Sequence, residues 1–123
     1  WIFTLANWPG SMAVSGSVGL ELLHELLPSV IVYKTSKLFE TVARAVADRQ
    51  HVSLVNLLAG GELYPEVAGG AWAPERIADP LVKWLADPVA RQLTVQQLWL
   101  LRAGVAKPGA CDRAAESLLA DLL

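Results

Sequence analysis

The chain has 123 residues, 54% of them hydrophobic and 18% charged, which is enough for one compact core and too short for a second full domain. Ten basic and twelve acidic residues give a formal net charge of -2, and neither sign forms a block or stripe, which argues against a nucleic-acid partner. Cys111 is the single cysteine and no His/Cys cluster has zinc spacing, so the sequence predicts a reducing, cytoplasmic setting without a metal site.

The start of the chain carries no charge through its first twenty residues. Polar and small residues such as Asn7, Pro9 and Gly10 interrupt every apolar run there, which excludes a signal peptide or a membrane span. The chain begins at Trp1 and enters strand-like sequence without a polar lead. We therefore expect a fragment of a longer protein.

A strand, a tight turn, a helix and a second strand are predicted in succession. The apolar run from Met12 to Val14 predicts the first strand, and Ser15-Gly16-Ser17 predicts the turn. Apolar residues at helical spacing follow from Val18 to Leu27, and Pro28 ends that helix. The β-branched run from Ser29 to Tyr33 predicts a buried parallel strand.

The middle of the chain predicts another helix and a third strand. Ser36 is a suitable N-cap for an amphipathic helix that ends near Asp48, and Val52 to Leu54 reads as a strand. An irregular or short helical stretch from Glu62 to Glu66 follows. Strands that alternate with helices predict an α/β fold with a partial Rossmann-like parallel sheet, extending over residues 1–68.

An all-helical C-terminal segment is predicted for residues 69–123, as the remainder of the same domain. Pro74-Glu75 is typical of a helix start, and Asp87-Pro88 opens a second helix that continues to about Ala103. Lys107-Pro108-Gly109 separates this helix from a third, from Cys111 to Leu123.

The turn at Ser15, Gly16 and Ser17 is the first candidate site. A turn between a parallel strand and a helix presents free backbone N-H groups and the positive end of the helix dipole at the carboxyl edge of the sheet, where a phosphate or diphosphate binds. Gly16 allows close approach of the backbone, and the two hydroxyls add hydrogen bonds. The alternative is that Ser17 only caps the helix.

Glu21 is the second candidate, as a ligand of ribose hydroxyls. A capping box needs an acidic residue three positions after the capping serine, whereas Glu21 lies four after Ser17. Its carboxylate is free to accept hydrogen bonds from vicinal hydroxyls one turn beyond the phosphates. The alternative is an ordinary surface glutamate.

Asn56 is the third candidate, since it follows the predicted third strand at the edge where α/β sheets bind ligands. Its side-chain amide can donate and accept hydrogen bonds at once. The alternative is that Asn56 stabilises the turn that leads into the Gly60-Gly61 loop.

Four stretches together resemble the lipid-A-disaccharide synthase family. They lie at residues 13–22 (AVSGSVGLEL), 28–34 (PSVIVYK), 52–66 (VSLVNLLAGGELYPE) and 107–116 (KPGACDRAAE). The third stretch is the most specific. The resemblance extends over nearly the whole chain from Ala13 onward and matches only the C-terminal part of the family.

The resemblance implies a hexosyltransferase with a two-domain glycosyltransferase fold called GT-B. Such an enzyme transfers diacylglucosamine from a UDP-linked donor to a diacylglucosamine 1-phosphate acceptor and releases UDP, without a metal or redox cofactor. The turn at Ser15, Gly16 and Ser17 would face the diphosphate, Glu21 would hold the ribose, and Asn56 would lie near the donor sugar or phosphates. The N-terminal domain of the enzyme would supply most acceptor contacts, so its catalytic residues are unknown here and this fragment alone is expected to be inactive. The setting implied is cytoplasmic, with peripheral contact at the inner membrane.

Two positions depart from the family pattern. The family commonly has proline before the matching asparagine and arginine after the matching Ala-Gly, where this chain has Val55 and Gly61. Loss of an arginine removes a cation that could neutralise phosphate charge. Two alternatives therefore stay open: a non-catalytic nucleotide-sugar-binding module, and a related GT-B-like enzyme such as a nucleotide-sugar epimerase.

Overall fold

The computed structural model describes residues 8–14, 16–33, 51–68 and 74–123, and the helix predicted for residues 36–48 lies outside them. Three strands are described: β1 (Ser11–Val14), β2 (Ser29–Tyr33) and β3 (Glu66–Ala68). The helices described are α1 (Val18–His24), α2 (Leu54–Ala59), α3 (Pro74–Ala86), α4 (Pro88–Val105) and α5 (Ala110–Leu122).

The three described strands form one parallel sheet in the order β1-β2-β3. Ser11 pairs with Ser29 at the start of β1, and Val14 pairs with Val32 at its end. On the other side of β2, Tyr33 pairs with Ala68. This central strand has neighbours on both sides, which explains the continuous apolar run that predicted it.

Side chains of β2 pack against hydrophobic clusters on both faces of the sheet. Successive side chains of a strand point to opposite faces, so neighbouring residues of β2 belong to different clusters. Ile31 faces one hydrophobic cluster, which also contains Leu22, Leu23, Leu27, Val55, Tyr64 and Leu98. Val30 and Val32 face a second cluster with Val67 and Trp84. The predicted α/β class, with a parallel sheet between helices and a helical C-terminal segment, is confirmed.

Helix α1 ends at His24, three residues earlier than predicted. The N-H of Leu27 donates to the carbonyl of Leu22 (3.0 Å), and the N-H of Leu26 donates to the carbonyl of Leu23 (3.1 Å). These two bonds form a Schellman motif, in which the residue after the cap adopts a left-handed conformation. Leu26 takes that position with a φ of 54°. This helix end could not be predicted from the sequence, because the residue usually found at such a position is glycine.

The predicted strand at Val52 to Leu54 is wrong. Ser53 is instead the N-cap of α2, and its side chain accepts a hydrogen bond from the N-H of Asn56 (3.2 Å). The third strand is β3, which begins at Glu66, the last residue of the stretch predicted to be irregular or helical, and ends at Ala68. Capping by Ser53 outweighs the weak strand preference of three residues.

The C-terminal helices agree with the sequence. Asp87 caps α4 as its Oδ1 accepts hydrogen bonds from the N-H groups of Val89 (2.9 Å) and Ala90 (3.1 Å). Gly109, with a φ of 79°, precedes α5, which buries none of its residues. Among the described residues, no helix has the length and apolar character needed to cross a bilayer.

Candidate functional site

Gly16 and Ser17, which lie between β1 and α1 at the carboxyl edge of the sheet, are exposed. Gly16 has a φ of 153°, a conformation that favours glycine, and an added Cβ there meets no atom within 4 Å. Ser17 occupies the N-cap position, yet its side chain makes no capping hydrogen bond. Ser15, the remaining residue of the predicted turn, lies outside the described residues. Gly16 therefore offers space to a ligand, and the Ser17 hydroxyl is not used as a helix cap.

Glu21 lies one helical turn after Ser17 on α1, and its side chain is exposed. Residues four apart on a helix share a face, so the Ser17 hydroxyl and the Glu21 carboxylate lie along the same side of α1. The Glu21 side chain makes no hydrogen bond to another residue of the described ranges. This arrangement is open to a ligand that extends from the turn along the helix.

Asn56, in contrast, is fully buried, and the protein itself engages its carboxamide. Its Oδ1 accepts hydrogen bonds from the N-H groups of Leu63 and Tyr64, both at 2.9 Å. Its Nδ2 donates to the carbonyl of Tyr64 (2.7 Å) and to Oε1 of Glu66 (2.8 Å). The two donor hydrogens and both acceptor lone pairs are thus used. Asn56 lies within α2, not directly after a strand as predicted.

The Glu66 carboxylate is a functional candidate that the sequence did not reveal. Oε1 accepts hydrogen bonds from the Ser53 N-H (2.9 Å) and from Asn56, and Oε2 accepts from the Val52 N-H (3.0 Å). Burial alone raises the pKa of this carboxyl group, but hydrogen bonds from Val52, Ser53 and Asn56 outweigh burial and hold the pKa below 4.5. Glu66 is therefore a fixed anion at the start of α2.

Tyr33 ends β2 at the same carboxyl edge as the Gly16-Ser17 turn. Its hydroxyl lies 3.4 Å from Oε2 of Glu66 and can donate to it. Burial, together with the charge of Glu66 and the hydrogen bond to it, raises the pKa of Tyr33 to about 12. The phenol therefore stays protonated as a donor at neutral pH.

Helix α2 links this polar cluster to α1. Val55, fully buried, lies beside Gly19 in the first turn of α1, where an added Cβ would stand 3.7 Å from Val55 Cγ2. Ser17, at the N-cap of α1, and Glu21 thus lie along one side of that helix, whereas Asn56 is buried in α2.

Metal-binding clusters and clefts elsewhere in the described ranges are the remaining candidate ligand sites. No group of three His, Cys, Asp or Glu side chains there could hold a metal ion. A cleft of about 410 Å³ lies between the segment before β3 and helices α3 and α4, with Glu62, Asp79, Lys83 and Gln97 among its lining residues. Its charged side chains are exposed, and it adjoins the amino end of β3, the opposite edge from the Gly16-Ser17 turn.

Comparison with known proteins gives one consistent family. The family model described as lipid-A-disaccharide synthetase matches residues 5–114. A lipid-A-disaccharide synthase of Anaeromyxobacter dehalogenans strain 2CP-1 is 40% identical over 109 residues, which are 89% of this chain and 28% of that protein. Those of Syntrophus aciditrophicus and Ruegeria pomeroyi are 36% and 37% identical, over 85% and 89% of this chain and 27% of each relative.

The chain thus spans a little over a quarter of the length of these curated relatives. No solved structure is significantly similar to it.

Proposed function

Because this chain belongs to the lipid-A-disaccharide synthetase family, we propose that it is the donor-binding part of a glycosyltransferase of lipid A synthesis. The observation that carries this proposal is the exposed Gly16-Ser17 turn at the carboxyl edge of a parallel sheet, where α/β folds bind nucleotides. The donor is a UDP-linked acylated glucosamine and the acceptor is an acylated glucosamine 1-phosphate.

The turn and α1 bind different parts of the donor. The hydroxyls of Ser15 and Ser17 and the backbone at Gly16 bind the diphosphate, whose negative charge grows as the glycosidic bond to UDP breaks. The exposed Glu21 carboxylate accepts hydrogen bonds from the two ribose hydroxyls. Asn56 supports the donor site indirectly, because its carboxamide bonds to the backbone of Leu63 and Tyr64 and so holds the segment after α2 in place.

The remainder of the enzyme supplies what this chain does not. In this proposal a separate N-terminal domain binds the acceptor and contributes the catalytic groups, and the 123-residue chain alone binds the donor nucleotide without transferring sugar. The full-length enzyme works in the cytoplasm, in peripheral contact with the inner membrane that holds its lipid substrates.

Two-dimensional amide NMR spectra recorded during a UDP titration test the donor site. In the wild-type chain we expect the amide signals of Gly16 to Glu21 to shift together as UDP is added. In Glu21→Gln we expect the UDP dissociation constant to rise about tenfold, which corresponds to the loss of one hydrogen bond to a charged group. Glu25→Gln is the matched control, because Glu25 is also exposed but lies at the C-cap of α1, at the end of the helix away from the turn. A folded wild-type chain whose spectrum is unchanged at millimolar UDP overturns the proposal.

A second candidate, a non-catalytic nucleotide-sugar-binding module, is favoured by Gly61, where the family commonly has arginine. An added Cβ at Gly61 meets no atom within 4 Å, so an arginine fits there. If Gly61→Arg strengthens UDP binding and confers transfer on an otherwise inactive intact protein, this second candidate is correct. Transfer by the unmodified intact protein excludes it.

A further inference from the structure

We propose that Glu66 is a positioning residue for the donor turn: its carboxylate fixes the start of α2, and α2 in turn supports the first turn of α1. The inference rests on the proposed function, because it concerns the same donor site. Glu66 itself touches neither Gly16 nor Ser17, and its effect passes through packed backbone segments.

The first step is the attachment of α2 to the sheet. Glu66 is the first residue of β3, whose N-terminal pairing partner is Ile31 in the centre of the sheet. Its two oxygens accept the N-H groups of Val52 and Ser53, which immediately precede α2, at 3.0 and 2.9 Å. Bonds from amides to a carboxylate are among the stronger hydrogen bonds in proteins. The beginning of α2 is therefore held at a fixed distance from the sheet.

The second step is the contact between α2 and α1. Val55 is fully buried in the second position of α2 and lies against Gly19, where an added Cβ would stand at an ordinary contact distance of 3.7 Å from Val55 Cγ2. The N-H of Gly19 donates to the carbonyl of Gly16 (3.3 Å), and the N-H of Leu20 donates to the carbonyl of Ser17 (3.0 Å). A shift of α2 thus acts directly on the residues that close the donor turn.

The third step is the contact between the end of β2 and the Glu66 carboxylate. Tyr33 follows Val32, the pairing partner of Val14 at the end of β1, so it lies beside the point where the chain leaves β1 for the turn. Its hydroxyl can donate to Oε2 of Glu66 at 3.4 Å. One carboxylate thereby connects the end of β2 and the start of α2, the two elements that border α1 and its turn.

The test compares Glu66→Gln and Tyr33→Phe with Glu62→Gln in the intact protein. Glu62 is an exposed glutamate four residues earlier and accepts none of these bonds. Two quantities are measured: the UDP dissociation constant, and the hydrogen-exchange rates of the Gly19 and Leu20 amides relative to that of Val32 in the central strand. The ratio to Val32 separates local opening of the turn from global unfolding.

We expect Glu66→Gln to raise the relative exchange rates and the UDP dissociation constant about tenfold each, Tyr33→Phe to raise both about threefold, and Glu62→Gln to change neither. A purely structural role for Glu66 lowers the resistance to urea but leaves both quantities as in Glu62→Gln, and that result overturns the inference. Should Glu66→Gln fail to fold, the same two measurements on Tyr33→Phe decide.

Failure of the proposed function gives a different result. A folded wild-type protein that does not bind UDP removes the donor assignment, while the exchange ratios at Gly19 and Leu20 still test the coupling. Faster relative exchange in Glu66→Gln but not in Glu62→Gln supports the coupling, and equal rates overturn it.

Discussion

The hydroxyl of Tyr64 donates a hydrogen bond of 3.0 Å to the carbonyl of Leu27, 37 residues earlier in the chain. Both residues are almost fully buried, and both belong to the cluster beneath Ile31. The same carbonyl accepts a bond from the Ser29 hydroxyl at 3.0 Å. The segment that leads into β3 is therefore fastened to the segment that leads into β2.

Tyr64→Phe is expected to lower the free energy of unfolding by about 1 kcal/mol, the usual net worth of one buried hydrogen bond. The ring remains in place and the Leu27 carbonyl keeps its bond from Ser29, so the loss stays small. Urea unfolding followed by tryptophan fluorescence measures it. A variant as stable as the wild type shows that the hydroxyl contributes nothing.

Asn56→Asp is expected to destabilise the protein more at neutral pH than near pH 4. The substitution replaces Nδ2, which donates to Oε1 of Glu66 at 2.8 Å, with a carboxylate oxygen that faces another carboxylate. Two such groups in contact repel until one of them binds a proton. The loss at neutral pH is expected to exceed the roughly 1–3 kcal/mol that an unpaired buried polar group costs, because the group introduced is charged.

Urea unfolding at several pH values follows this effect, and Asn56→Ala serves as the control. Alanine removes the same hydrogen bonds without adding a charge, so its destabilisation should depend less on pH. If both variants lose stability equally at every pH, the repulsion between the two carboxylates is absent.

The free energy of unfolding is expected to fall as the pH drops below about 4.5, in part because of Glu66. The pKa of Glu66 is lower in the folded protein than its ordinary value of 4.5. The folded state therefore binds this proton less readily, and the stabilisation, complete above the unfolded pKa, disappears as the pH falls through the folded pKa. Glu66→Gln should flatten this part of the pH profile, whereas Glu62→Gln should leave it steep.

Gly10→Ala is expected to cost about 1–3 kcal/mol of stability, as overpacking of a core does. An added Cβ would lie 2.8 Å from Cε3 of the buried Trp84 and 3.3 Å from the carbonyl of Pro28. Gly61→Ala is the matched control, because no atom lies within 4 Å of its added Cβ and that change should be close to neutral. Thermal unfolding of both variants tests the contact with Trp84.

The sequence predicted the elements whose signals are local. The β-branched run of β2, the proline at the start of α3 and the Asp87-Pro88 pair each determine structure within a few residues, and the structure has each of these elements. In β3 only Val67 is β-branched, and the strand begins at a charged residue. Pairing with β2, not local preference, makes it a strand.

The candidate site likewise contains residues that a local sequence pattern predicts and residues whose role depends on contacts distant in the sequence. The sequence predicts a site at Gly16, Ser17 and Glu21 because a turn followed by a helix is a local pattern, and the structure leaves all three exposed. Glu66 accepts hydrogen bonds from groups 10 to 14 residues earlier, and lies near a hydroxyl 33 residues earlier. No spacing along the chain reveals such contacts. For the same reason, the sequence suggested an Asn56 open to ligand, whereas its partners lie seven to ten residues later.

The left-handed Leu26 is a point of local frustration in an otherwise consistent core. Its backbone conformation favours glycine by about 1 kcal/mol, whereas its side chain packs against the cluster around Ile31. Backbone and side chain thus make opposing demands on one position, and neither leucine nor glycine satisfies both. Sequence optimisation guided by backbone geometry alone would choose glycine here and create a cavity, so this protein should be stabilised at other positions.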